Sequence, residues 1–274
     1  MKGKVYLVGA GPGDPELLTV KALRLIRSAD VVLHDDLVAP EILKLIPSTA
    51  QLQNVGKRCG TKTMRQEEIN FLMVTLAASG QEVVRLKSGD PLIFGRAGEE
   101  IDALRKGGIE YEIVPGVTSA LGAAAAAGIP LTHRQVSSAL VLTTGRLASD
   151  RDEVDWSRFA EGNSTLVVYM PGDNYGELST KFRNSGFAED TPCAIVSRAT
   201  TPEQKIHRTT ISSLHRAPPL AAPALLVVGA VVGFADGVTE YVNGQFSQTD
   251  AEPEPILARD LASVKVVNQG ELSA

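Results

Sequence analysis

The sequence predicts an α/β fold built in two halves, and three observations predict it. Strand-length apolar runs at 4–8, 31–33 and 83–86 alternate with amphipathic stretches of helical period, the pattern of a parallel sheet with crossover helices. In the second half strand-like runs outnumber helices, which predicts a mixed sheet. A sharp loop, Ser88-Gly89-Asp90-Pro91, follows the buried run Val83-Val84, and open α/β sheets bind ligands at such strand ends. Gly89 permits close approach of a ligand to the backbone, and Asp90 accepts hydrogen bonds from hydroxyl or amino groups.

The first strand, 4–8, runs into the tight turn Gly9-Ala10-Gly11-Pro12-Gly13-Asp14-Pro15. Asp14 has the chemistry of a helix N-cap with Pro15 at the first helical position, and the helix after it places Leu18, Ala22, Leu25, Ile26 and Ala29 on one face. The turn does not complete the Gly-x-Gly-x-x-Gly of a dinucleotide site, because Asp14 stands where the third glycine belongs and Pro12 lacks an amide donor. After the strand at 31–33 comes His34-Asp35-Asp36, two carboxylates at a strand end. Asp35 is a candidate general base, or the cap of a helix beginning near Pro40. A basic loop, Val55-Gly56-Lys57-Arg58-Cys59-Gly60, precedes a capping box at Thr63-Met64-Arg65-Gln66, which predicts a helix over 64–79. A helix over 99–106 ends at Gly107-Gly108, and a strand follows at 111–114.

Pro115-Gly116 reads as a junction between halves. Thr118 or Ser119 caps the small-residue helix 120–127, whose five consecutive alanines predict close packing against another backbone or a ligand. Beyond it lie strands at 139–143 and 165–170, a helix at 175–185, strands at 193–197 and 205–209 with an antiparallel hairpin around Pro202, and a strand at 224–228. The division expected is 1–115, 116–236 and a polar, mostly flexible tail at 237–274.

The composition narrows the function classes. The 274 residues are 43% hydrophobic, enough for a substantial core, and the formal net charge of −5 argues against general nucleic-acid binding. Any polyanionic ligand therefore needs a local basic pocket. Cys59 and Cys193 lie far apart and the four histidines are scattered, so no metal site is expected. The start Met1-Lys2-Gly3-Lys4 leads straight into a strand, with no signal peptide expected. The longest apolar run, 219–235, is broken by Pro223, Gly229 and Gly233 and is short for a bilayer span; no membrane partner and a cytoplasmic location are expected.

Nine segments in order carry a resemblance: Gly9-Ala10-Gly11-Pro12-Gly13-Asp14, Val55-Gly56-Lys57-Arg58, Gln66-Glu67-Glu68-Ile69-Asn70, Leu86-Lys87-Ser88-Gly89-Asp90-Pro91, Phe94-Gly95-Arg96, Val114-Pro115-Gly116, 128–134, Val168-Tyr169-Met170 and 200–204. Over roughly 3–232 the chain resembles the uroporphyrinogen-III C-methyltransferases of the tetrapyrrole methylase group. The resemblance implies two α/β domains with the active site in the cleft between them, and a homodimer. It implies S-adenosyl-L-methionine as methyl donor, with S-adenosyl-L-homocysteine as its product. The implied reaction is double C-methylation of uroporphyrinogen III to precorrin-2, toward siroheme and cobalamin. Two other readings stay open: a sister precorrin methyltransferase, and a non-catalytic cofactor-binding relative.

The resemblance also implies roles. Asp35 matches the proton acceptor and Lys57 the proton donor. Cofactor contacts match Pro12, Ser88, Gly89, Asp90, Ile93, Thr118, Ser119, Met170 and the backbone at Ala199. A tetrapyrrole with eight carboxylates calls for clustered cations, and Arg58, Arg65, Lys87, Arg96 and Arg134 are the candidates for binding it. Several positions depart from the family pattern: Asp36 stands for an arginine, Ser88 for a glycine, Ala126 for a tyrosine, Arg146 for a histidine, Ala199 for a glycine, and Ala230 for a charged residue.

Overall fold

The computed structural model describes residues 2–56, 64–147, 154–160, 163–236, 239–242 and 245–248. The chain divides into two compact units after Asp236. The first carries two five-stranded sheets.

The first sheet holds β1 (Lys4–Gly9), β2 (Val31–His34), β3 (Gln51–Asn54), β4 (Val83–Lys87) and β5 (Glu110–Val114), in the order β3-β2-β4-β1-β5. Every pairing in it is parallel. Such a sheet is covered on both faces, so its inner strands β2 and β4 are buried along their whole length rather than alternating. Val5, Leu7, Val31, Leu33 and Val83 meet helices α3 (Gln66–Ala78) and α4 (Ala97–Lys106) through Ile69, Met73 and Leu104. On the opposite face Val8, Val32, Val84 and Leu86 meet α1 (Val20–Ser28) and α2 (Pro40–Leu43). Ile26 and Met73 are fully buried. Each such side chain contributes about 1.5–3 kcal/mol by leaving water.

Local chemistry shifts several expected boundaries. Asp14 does cap a turn, accepting from the Glu16 amide at 2.8 Å, but that turn is a short 3-10 helix at Pro15–Leu17. Helix α1 starts later and uses Thr19, whose hydroxyl accepts from the Ala22 amide at 3.1 Å. Helix α3 starts at Gln66, where the Glu68 carboxylate reaches back to the Arg65 amide at 2.6 Å. The expected cap Thr63 lies outside the described residues. Strand β3 escaped the reading because Gln51-Leu52-Gln53-Asn54 is polar and forms an exposed sheet edge.

Helix α5 (Ser119–Ala127) connects to the second sheet, made of β6 (Ala139–Thr144), β7 (Ser164–Tyr169), β8 (Pro192–Ser197), β9 (Lys205–Thr210) and β10 (Ala224–Val228). Their order is β6-β7-β10-β8-β9, with β6 and β7 parallel and the other pairs antiparallel. The mixed sheet and the β8–β9 hairpin match the reading from sequence. Phe182 of α6 (Tyr175–Asn184) packs on this sheet with Trp156, Leu166, Ile195 and Leu226.

In the second unit, β11 (Thr239–Val242) pairs antiparallel with β12 (Gln245–Gln248). The reading of this stretch as a tail passed over that hairpin.

Candidate active site

The loops after β1 and β4, neighbouring strands at the centre of the first sheet, are tied together. Gly11 and Gly89 exchange both backbone hydrogen bonds, at 3.1 and 2.8 Å. Strand order reverses here, since β1 leads across β4 to β2 while β4 leads across β1 to β5. Ligands of open α/β sheets sit at the carboxyl ends of strands at such a point. Gly89 has φ +68°, a left-handed conformation open to glycine. A Cβ built on Gly116 would stand 2.3 Å from the Gly89 carbonyl and 2.9 Å from Gly9. Three glycine backbones thus pack where no side chain fits. Asp90 braces the arrangement, accepting from the Leu92 amide at 2.8 Å and the Gly116 amide at 3.0 Å.

Beside these loops lies a cavity of about 810 Å³ walled by both sheets. That volume falls within the range of small-molecule sites, roughly 300–1,000 Å³. All the residues expected to contact a cofactor line it: Pro12, Ser88, Gly89, Asp90, Ile93, Thr118, Ser119, Met170 and Ala199. Asp35, Arg65, Lys87 and Arg96 line it too. Arg134 is not among the residues that line it. Lys57 and Arg58 lie outside the described residues. Of the positions that depart from the family pattern, Asp36, Ser88 and Ala199 face the cavity, whereas Ala126, Arg146 and Ala230 are not among its walls.

The second sheet supplies a wall with unusual backbone. Met170, just past β7, has φ +50°, and Ala199 is flanked by Arg198 at +47° and Thr200 at +64°. Such conformations persist only where surroundings enforce them. Gln204 accepts the Thr200 amide at 2.7 Å, and the Thr200 hydroxyl accepts the Asp14 amide at 3.1 Å, pinning this loop to the first turn of the chain. Tyr169 joins the halves again: its hydroxyl meets the Thr118 hydroxyl at 2.5 Å and accepts the Ala120 amide at 3.1 Å. Burial raises the Tyr169 pKa, against the opposing hydrogen bonds from Thr118 and Ala120, so the phenol stays neutral. Phe94 packs on its ring, centroids 4.8 Å apart.

Under the cavity lies an ion network. Arg85 and Lys87 sit two residues apart on β4, so both project from the same face of the sheet toward α4. Arg85 is 2% exposed and Lys87 3%, and both donate to Oε1 of Glu100, which is fully buried, at 2.9 and 3.0 Å. Gln66 adds a third donor to that oxygen at 3.3 Å. The far end of the Arg85 guanidinium donates to Asp35 Oδ1 in a short ion pair. Its remaining nitrogen reaches the Leu33 and Leu86 carbonyls at 3.4 and 3.3 Å. Burial opposes the charge on Arg85, but Asp35 and Glu100 outweigh it and raise its pKa. Burial, reinforced by Arg85, instead lowers that of Lys87 despite Glu100. Lys87 thus both donates to Glu100 and lines the cavity. Arg96, exposed at the rim, is held by Glu99 through two bonds of 2.8 and 2.7 Å.

Asp35 does not cap α2. The residue at that cap is Ala39, without a side-chain bond, and the Asp35 carbonyl merely closes a turn with the Val38 amide. Asp36 points its Oδ1 at the Asn54 amide nitrogen, 2.6 Å away, and its Oδ2 is buried with no partner among the described residues. Arg85, Glu100, Tyr169 and Phe94 were not singled out from sequence. The signal for the first was present: two basic residues inside the run Val83-Val84-Arg85-Leu86-Lys87 must find buried partners if that run is a central strand.

Two sheets closing on one cavity, with a carboxylate at its edge held by a buried arginine, define an α/β fold with a small-molecule site. The chain belongs to the tetrapyrrole (corrin/porphyrin) methylases, whose family model matches residues 4–215. It is similar to the uroporphyrin III C-methyl transferase from Thermus thermophilus, at 40% identity over 84% of this chain and 99% of that one, with a TM-score of 0.74. A structure of the Thermus thermophilus enzyme complexed with S-adenyl homocysteine has 39% identity over 84% of this chain and 93% of that one, and a TM-score of 0.73. Siroheme synthase 1 of Yersinia enterocolitica is 47% identical over 258 residues, which is 93% of this chain and 54% of that protein. The chain spans about half the length of the curated relatives it matches. No helix among the described residues is long and apolar enough to cross a membrane.

Proposed function

We propose that the chain transfers two methyl groups from S-adenosyl-L-methionine to ring carbons of uroporphyrinogen III, giving precorrin-2 for siroheme or cobalamin synthesis. The observation that carries the reading is the cavity: nine cofactor positions and Asp35, scattered over 188 residues of sequence from Pro12 to Ala199, face one space. The similarity to the Thermus enzyme over nearly its whole length supports the substrate. The site suits the methyl donor chemically. Pro12, Ile93 and Leu225 give apolar walls for a purine, and Asp90 keeps lone pairs for hydroxyl or ammonium donors. Gly89 and the left-handed backbone at Met170 allow main-chain groups to approach a ligand closely.

When bound, S-adenosyl-L-methionine supplies an electrophilic methyl group on sulfur and is left as S-adenosyl-L-homocysteine. The protein's work is largely positioning, since the displacement is in line. A carbon–carbon bond forms at the pyrrole as the carbon–sulfur bond breaks, and the ring carbocation then sheds a proton. Asp35 accepts it, with Arg85 fixing the carboxylate. Lys57 is the proposed donor. Arg65 and Arg96 at the rim, with Arg58, meet the carboxylates of the substrate. The reading includes two domains meeting near 115–116, a homodimer and a cytoplasmic location.

An anaerobic reaction of the protein with uroporphyrinogen III and S-adenosyl-L-methionine, followed by mass spectrometry, tests this. The expected product carries two added methyl groups. A tetrapyrrole recovered without methylation would overturn the reading.

A further inference from the structure

We infer that Glu100 is a positioning residue for Asp35, acting through Arg85 from beneath the cavity. The inference rests on the reading of Asp35 as the proton acceptor. Glu100 is 0% exposed, so it touches neither solvent nor any ligand in the cavity. A fully buried carboxylate is costly unless its partners are fixed, and here they are fixed in an uneven way. Oε1 takes Arg85, Lys87 and Gln66 together, while Oε2 is buried without a partner among the described residues. The carboxylate offsets the two buried cations of β4, and its uneven bonding also sets the direction in which one of them points.

What the carboxylate does is orient a fork. The guanidinium is planar, so a bond to Nε fixes the directions of its other two nitrogens. Glu100 holds Nε at 2.9 Å, the Leu33 and Leu86 carbonyls hold one terminal nitrogen, and the other is thereby aimed at Asp35 Oδ1. Asp35 itself is about one-third exposed at the cavity wall just past β2; its amide donates to the Leu86 carbonyl at 3.3 Å, and its carboxylate meets Arg85. Its carboxylate therefore takes its direction from Arg85, and Arg85 from Glu100. Lys87 balances the second negative charge, so that Arg85 is not drawn wholly onto Glu100.

The test compares Glu100→Gln with Asp35→Asn as the reference. Glu100→Gln retains the volume and one acceptor but loses the charge that holds Nε. Turnover should fall about 10- to 100-fold, the cost of a slightly misplaced reacting group. The dissociation constant for S-adenosyl-L-homocysteine, measured by calorimetry, should stay within about twofold, and the Michaelis constant for the tetrapyrrole should change less than kcat. Should Glu100→Gln fail to fold, Arg85→Lys reads the same relay. It keeps the positive charge but lacks the planar fork that fixes the angle between the two carboxylates, and it should show the same loss of kcat with intact homocysteine-product binding. Full turnover in the folded variant, or a parallel loss of binding and kcat, would overturn the inference. The reading of Asp35 fails separately, if Asp35→Asn itself keeps full turnover.

Discussion

Asp35 and Asp36 are adjacent in sequence and unlike in surroundings. Consecutive side chains leaving a strand diverge, and here one meets Arg85 while the other meets Asn54. Asp36 faces the cavity with an oxygen that is buried and has no partner among the described residues, so it places a carboxylate where a polyanionic substrate would bind. Asp36→Arg is expected to lower the Michaelis constant for uroporphyrinogen III several-fold by placing a cation there. The gain is partly offset by loss of the 2.6 Å bond to Asn54. Steady-state kinetics at fixed S-adenosyl-L-methionine measure this, and a raised Michaelis constant would show that Asp36 binds the substrate favourably instead.

The loops act as elements through their backbones. Gly9, Gly89 and Gly116 come from three different strand ends and pack directly on one another. In Gly116→Ala the new methyl group would collide with the Gly89 carbonyl at 2.3 Å, and neither backbone is free to retreat because Asp90 ties the two loops together. Overpacking of this kind costs about 1–3 kcal/mol or more. The variant should melt at lower temperature and bind S-adenosyl-L-homocysteine more than tenfold weaker. Unchanged binding in a calorimetric titration would show that the Gly89 loop does not contact the ligand. A similar argument applies to Gln204, which holds Thr200 in a left-handed conformation beside Ala199.

For the molecule as a whole, acid stability follows from its surface pairs. The Glu112 carboxyl is held below its ordinary value of 4.5 by a hydrogen bond from Lys21, with Lys4 adding to it. Arg96 does the same for Glu99 and Lys181 for Glu177. A depressed carboxyl pKa contributes stability that is present above pH 4.5 and is lost as pH falls through the folded-state value. Melting temperature should therefore drop as pH is lowered below about 4.5, and Glu112→Gln should flatten that dependence slightly while changing little near neutrality. Melts over a pH series check both; a Glu112→Gln curve parallel to the parent would mean the pair is broken in solution.

The α/β class, most strands, the hairpin at β8–β9 and the cofactor loops were legible in the sequence, because each is encoded locally. Apolar runs of strand length, helical periodicity and Gly-Asp-Pro loops need no partner to be recognised. The edge strand β3 was not, since polar residues at an edge carry no burial signal. Register and assembly were beyond local reading too. Whether Arg85 and Lys87 faced solvent or the interior depended on a pairing partner, Glu100, that lies on another element. The sequence by itself determined the α/β class and most of the strands, because apolar runs of strand length are local signals. Only the tertiary structure decided which charges meet, because the strength of a charge depends on its burial and on partners distant along the chain.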